Sequence, residues 1–240
     1  MSRIRNIVLA TTGLGLVLVV FLTLIGIRLA HPARYLLRGI DLPLVRGAPI
    51  DGFNWQAFMV AIDSAGVTRL REGMVSPEQL KSVLAREIAK RGPVSILWGA
   101  DKACSFDHVW ELTKAARDLG VWSFGFIVRD DPEGQHLWSL DFSHAPPEEL
   151  AIDTNGMHTV VVSSEGWEIN GQTLSLEDLG RQLDHLAGWR IDNLVQITVA
   201  GAVSQDVVAQ TLGRCCRSGF RNLVVTTRRD AQPEARGYRR

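Results

Sequence analysis

The chain has 240 residues, enough for one large domain or two small ones that each bury a core. Its 26 basic and 26 acidic residues cancel. The balance excludes both the positive field expected of a nucleic-acid-binding protein and the charge excess that keeps a chain disordered.

The first element along the chain is "IVLATTGLGLVLVVFLTLIGI" at 7–27, 21 residues without a charge, bounded by Arg5 and Arg28. A helix of that length spans roughly 30 Å, the hydrocarbon thickness of a bilayer. The run is longer than the apolar region of a cleaved signal peptide, and Arg28 stands where a cleavage site needs small residues. We therefore expect an uncleaved transmembrane helix. Charge counting alone, with Arg3 and Arg5 before the helix and Arg28, Arg34, Arg38 and Arg46 after it, leans towards a cytoplasmic C-terminal part. The stretch 28–53, rich in Arg, Pro and Gly, reads as a tether.

The rest of the chain contains an internal repeat at an offset of 99, which aligns Ser76 with Ser175, Ser105 with Ser204, Asp107 with Asp206, Gly120 with Gly219 and Arg129 with Arg228. A register held without a gap for more than fifty residues is the mark of a duplicated supersecondary unit. "SPEQLKSVLAREIAKRG" offers a serine N-cap, a proline at the first helical position and a glutamine at the third, then Leu80, Leu84 and Ile88 at helical spacing. "SLEDLGRQLDHLAG" repeats this with Leu176, Leu179, Leu183 and Leu186. In each copy a strand follows ("VSILWGA", "LVQITVA"), then a serine-capped helix that ends at Gly120 or Gly219, then a last strand ("WSFGFIV", "NLVVTT"). Before the first helix stands a strand and a glycine turn, "FMVAIDSAG" or "TVVVSSEGWEING", so each copy reads strand, short strand, helix, strand, helix, strand.

The copies span 54–129 and 158–228. Between them lies an acidic segment, 130–157, whose "HLWSLDF" alternates Trp138, Leu140 and Phe142 and so fits an edge strand. The tail, 229–240, is basic.

The second copy resembles the periplasmic domain of the ExbD/TolR biopolymer transport family. Gly166, Ile169, Asn170 and Gly171 match that family's turn, Leu176, Leu179 and Leu183 its leucine helix, and Gly219 the glycine before its last strand. Ala100 and Asp101 in the first copy match its Ala-Asp strand end, where the second copy has Ala200 and Gly201. A single membrane helix followed by a tether also looks like that family.

The resemblance implies an inner-membrane protein with residues 1–6 in the cytoplasm and both copies in the periplasm. We prefer this orientation to the charge count, because long following domains are translocated largely regardless of local charge. It further implies an ExbB/TolQ-like channel subunit as partner, and pairing of the domains either as a homodimer or within the chain. Two departures stand out: there are two domains instead of one, and the membrane helix lacks the family's aspartate. The polar groups nearest the place of that aspartate are Asn6 at the edge and Thr11 and Thr12 one turn inside, which leaves contacts with a partner helix but no group to bind and release a proton. The alternative is a free-standing tandem binding module.

An enzyme is the rival of another class. Cys104 and His108 would share a helix face, with Asp101 and Asp107 nearby, as a nucleophile and base require. The plainer reading makes Ser105 the cap, Asp107 a first-turn carboxylate facing the dipole and His108 a surface residue. In the other copy Cys104 and His108 become Val203 and Val207, while the cap and the aspartate persist. We expect no catalytic, cofactor-binding or metal-binding residues. The six histidines are scattered, no phosphate-binding glycine loop is present, and Cys215 and Cys216 are adjacent, which suits no disulfide framework. Trp98, Trp110 and Trp122 read as core before contact surface. The fold class expected is α+β: a transmembrane helix and two small two-layer domains, each a mixed sheet with two helices on one face.

Overall fold

The computed structural model describes residues 36–46, 57–131, 137–143, 157–187 and 194–228. Packing divides the chain into Met1–Arg38 and Gly39–Arg240, and the elements below belong to the second. The expected transmembrane helix at 7–27 and the residues Asn6, Thr11 and Thr12 lie outside the described residues, as does the tail. Among the described residues no helix is long and apolar enough to cross a membrane.

The first copy contains β1 (Phe58–Ile62), β2 (Thr68–Leu70), β3 (Gly73–Met74), α1 (Pro77–Arg91), β4 (Ile96–Ala100), α2 (Phe106–Arg117) and β5 (Ser123–Arg129). The second has β7 (His158–Ser163), β8 (Gly166–Ile169), β9 (Gln172–Leu174), α3 (Leu176–Ala187), β10 (Leu194–Val199), α4 (Gln205–Arg217) and β11 (Asn222–Thr227), and β6 (Leu137–Ser143) lies between them in sequence. Each copy thus opens with a three-stranded meander, one short strand more than the periodicity predicts. Helix α1 starts as its letters require: the Ser76 hydroxyl accepts from the Gln79 N–H, and the Gln79 side chain accepts from the Ser76 N–H. Asn170 and Gly171, both at positive φ (53° and 80°), make the two-residue turn that returns β8 into β9.

The α+β class and the two helices per copy agree with the sequence reading. The number of sheets does not. Among the described residues the strands form one sheet in the order β3-β2-β1-β4-β5-β6-β11-β10-β7-β8-β9. The segment expected at an edge supplies the central strand, β6, antiparallel to all of β5 from Ser123↔Ser143 to Arg129↔Leu137 and parallel to β11 at Val224↔Ser143. Alternation in "HLWSLDF" encodes a strand with one apolar face. It says nothing about neighbours, and here the strand is paired along its whole length with β5 and at Ser143 with β11.

The order reads the same from either edge, and β5 and β11 run in opposite directions, so the copies are related by a pseudo-twofold axis perpendicular to the sheet. Strand registers reproduce the sequence offset: Ile96↔Phe124 and Trp98↔Phe126 reappear as Val195↔Leu223 and Ile197↔Val225, each shifted by 99. The first strand is shifted by 100, since Ile62 faces Ala100 and Val162 faces Val199. The first copy therefore holds one more residue in its hairpin than the second.

In both copies the parallel crossovers advance towards the centre. With right-handed connections all four helices then lie on one face of the sheet. Alternate strand positions (Val60, Trp98, Phe126, Leu140, Val225, Ile197, Val160) join Leu84, Val109, Leu183 and Leu212 of the helices in one buried cluster. The two copies share a single core.

Candidate functional site: the seam between the copies

Equivalent residues meet at the axis. Ser105 and Ser204 form an isolated antiparallel bridge, with the Phe106 N–H donating to the Val203 carbonyl and the Gln205 N–H to the Cys104 carbonyl, both at 2.8 Å. The Asp206 N–H donates to the Lys102 carbonyl at 3.1 Å. Both serines occupy N-cap positions, yet neither hydroxyl makes a cap hydrogen bond. Two of the orphan N–H groups at the start of α4 are met instead by backbone carbonyls of the other copy. The expectation that Ser105 and Ser204 act as side-chain caps is corrected accordingly: what the copies share at these positions is a mutual pairing.

A second part of the seam comes from the expected tether. Within 28–53, residues 41–45 ("DLPLV") lie as a strap across the end of β5. The Arg129 N–H donates to the Pro43 carbonyl at 2.9 Å and the Val45 N–H to the Arg129 carbonyl at 2.8 Å. Arg129 Nε reaches the Leu42 carbonyl at 3.1 Å. On the other side, Gln210 Nε2 of α4 donates to the Leu44 carbonyl at 2.6 Å, and Val45, fully buried, sits against Gly213 of the same helix. One short segment is thus bonded to both copies. Its signal in the sequence was the alternation of Leu42 and Leu44 within an Arg-rich stretch, masked by the composition around it.

Charges gather where the strap crosses. The Asp41 carboxylate binds Lys102 Nζ and Arg129 Nη2, each at 2.7 Å. The Asp101 carboxylate, buried, accepts from the Asp41 N–H and from the Ala103 N–H, both at 3.0 Å. The hydrogen bond from Lys102 and the nearby Arg129 hold the Asp41 carboxyl below the usual carboxylate range. Asp206 moves the other way: burial raises it, and Lys102 and Gln210 only partly offset that.

These shifts have opposite signs in a pH titration. Asp206, raised when folded, loses stability as pH climbs through the window above its ordinary value. Asp41, depressed when folded, loses stability as pH falls through the window below it. Asp206→Asn, which keeps an acceptor for Gln210, is therefore expected to be neutral or mildly stabilising at pH 7 and to flatten the pH dependence of the melting temperature just above the ordinary carboxylate range. A marked loss of stability at pH 7 would show that the Asp206 charge contributes favourably.

The residues proposed for catalysis are placed as follows. Cys104 is buried, and desolvation, followed by the charges of Asp101 and Asp63, pushes its thiol up to about 11. At neutral pH it is a protonated thiol, not the thiolate that nucleophilic attack needs. His108 is not the surface residue expected. Its ring lies against Gly66 in the β1–β2 turn, and its Nε2 is buried without a hydrogen-bond partner. Asp101 is spent on backbone N–H groups, as above. Cys215 is also buried, with its thiol raised by desolvation. Among the described residues no cluster of His, Cys, Asp or Glu has the arrangement of a metal site.

Trp98 and Trp110 are buried, Trp98 stacked on Phe124 and Trp110 beside Phe106 at 5.6 Å. Trp122 is 43% exposed, with the Arg117 guanidinium 5.3 Å from its ring centre. The core reading thus holds for two of the three tryptophans.

An open cleft adjoins the seam. It has a volume of about 390 Å³ and lies between the β7–β8 turn and the start of α4, lined by Ser164, Glu165, Trp167, Val203, Ser204 and Val207 among others. Comparison of the chain with protein families, with curated proteins and with solved structures finds no match.

Proposed function

We propose that this protein is a membrane-anchored, non-enzymatic accessory subunit of an ExbB/TolQ-like envelope or transport complex. In this reading its N-terminus is cytoplasmic, its two ExbD/TolR-like copies are periplasmic, and the chain supplies by itself a domain pair that single-copy relatives assemble from two chains. The observation that carries it is the seam: equivalent residues, Ser105 and Ser204, pair across a pseudo-twofold axis inside one sheet. A strap at 41–45, in the stretch that follows the expected anchor in sequence, is bonded to both copies and supports the same reading.

A specific sequence feature favours a second reading, a free-standing periplasmic binding module. Residues 7–27 contain no carboxylate, so a proton-driven role within a motor has no titrating group in that segment. Purification of the full chain in mild detergent separates the two. Recovery together with a multi-span ExbB/TolQ-like channel subunit is the expected result. Recovery of the chain alone at every detergent tested would replace the first reading with the second.

A further inference from the structure

Because the protein is duplicated, each copy is a control for the other, and the open cleft has a filled counterpart. At the position of Val207 the first copy carries His108, whose ring lies flat on the β1–β2 turn: a Cβ added to Gly66 would stand 3.1 Å from each of Cε1, Nδ1 and Nε2. Around it Ala103, Cys104 and Ser105 take the places of Ala202, Val203 and Ser204, and Thr68, opposite Ile62, takes that of Trp167, opposite Val162. The first copy has closed its cleft with a planar ring of its own, and the second, with valine there, leaves the space open.

We propose that the second-copy cleft binds a planar nitrogen heterocycle, of a size between imidazole and indole. The walls suit one. Trp167 is fixed by its indole N–H, which donates to the Thr211 hydroxyl at 2.7 Å, and so presents a ring of set orientation for stacking. Val203 and Val207 supply aliphatic surface, and the Ser204 hydroxyl, free of any cap bond, and the Glu165 carboxylate supply acceptors for a ring N–H. An anion is a poor fit. Among the described residues no basic side chain lines the cleft, and the N–H groups of Gln205 and Asp206 are already taken by the carbonyls of Cys104 and Lys102. A volume of about 390 Å³ accommodates such a ring with room for the group that bears it.

The test uses the full chain in detergent, 15N-labelled, with 4-methylimidazole as probe and pyrrolidine, a saturated ring of similar size, as control. The expected result is a saturable shift of the Trp167 indole N–H resonance with 4-methylimidazole and none with pyrrolidine. Val207→His, which copies the first repeat, abolishes that shift, and so does Val207→Leu if the histidine variant does not fold. His108→Ala opens the first cleft and adds a second saturable response at the β1–β2 turn. An unperturbed Trp167 in the parent chain, an equal response to pyrrolidine, an undiminished response in a folded Val207 variant, or a single site in His108→Ala would each overturn the proposal.

Discussion

Phe126→Ala is expected to lower stability by about 3–5 kcal/mol, the range for truncating a fully buried aromatic side chain. Phe126 is 1% exposed on β5, and its ring centre lies 4.6 Å from that of Phe142 on β6 and 6.2 Å, edge-on, from that of Phe106 on α2. Truncation removes the transfer energy of the ring and two aromatic contacts, and the cavity opens beside the strand that joins the copies. The twofold-related position holds Val225, also fully buried. Val225→Ala deletes only two methyl groups, about 1.6 kcal/mol at roughly 0.8 per buried carbon before any cavity cost. Since the copies share one core, both variants should unfold in a single transition that Phe126→Ala displaces further. Two separated transitions, with only one displaced, would show that the copies fold independently.

Gly213→Ala is the second, and there the sign of the effect carries the information. Glycine inside a helix costs about 1 kcal/mol relative to alanine, so on propensity alone the substitution stabilises. Against this, a Cβ at 213 would stand 2.1 Å from Val45 Cγ1, a distance that no methyl group tolerates, and Val45, the last residue of the strap, is fully buried. Relief requires Val45 to leave its place, and overpacking of that kind typically costs about 1–3 kcal/mol, occasionally more. We expect the clash to win, with a net loss of about 2 kcal/mol, equivalent to roughly 4–8 °C in melting temperature for a domain of this size. Val45→Ala in the same chain should recover part of it, because the shortened side chain makes room for the new methyl. A rise in melting temperature with Gly213→Ala would mean that α4 is free of the strap in solution.

These two sites mark the divide between what the letters carry and what they do not. Local features were readable because each is specified by a few neighbouring residues: the Ser76–Gln79 capping box, the Asn170–Gly171 turn, the leucine periodicity of α1 and α3. The repeat was readable because a duplicated unit repeats its letters in step, and the strand registers preserve the offset. The seam was not. Pairing of Ser105 with Ser204, or of residue 44 with residue 129, joins positions far apart in sequence, and no periodicity within either segment records its partner. A serine before a helix also carries two meanings that sequence cannot separate. At Ser76 it caps, while at Ser105 and Ser204 the neighbouring N–H groups are bonded to the other copy's backbone.

The second copy also bears on the one residue pair that suggested chemistry in the first. Cys104 and His108 looked paired for chemistry, and the second copy replaces both with valine. The thiol is buried and protonated, and the histidine ring fills a cleft that its counterpart leaves open.

The pairing of the copies within one chain is tested most directly by joining them covalently at the axis. Ser105 and Ser204 are opposite each other in a non-hydrogen-bonded antiparallel pair, where Cα atoms stand about 4.5 Å apart, within the range that a disulfide spans. The measurement is non-reducing electrophoresis and intact mass of Ser105→Cys/Ser204→Cys after mild oxidation, with Cys104 replaced by Val and Cys216 by Ser, and the fully buried Cys215 retained. The predicted result is one disulfide per chain, formed at every dilution, in a species of monomeric mass. Disulfide-linked dimers, or two thiols that remain free under the same oxidation, would contradict the seam.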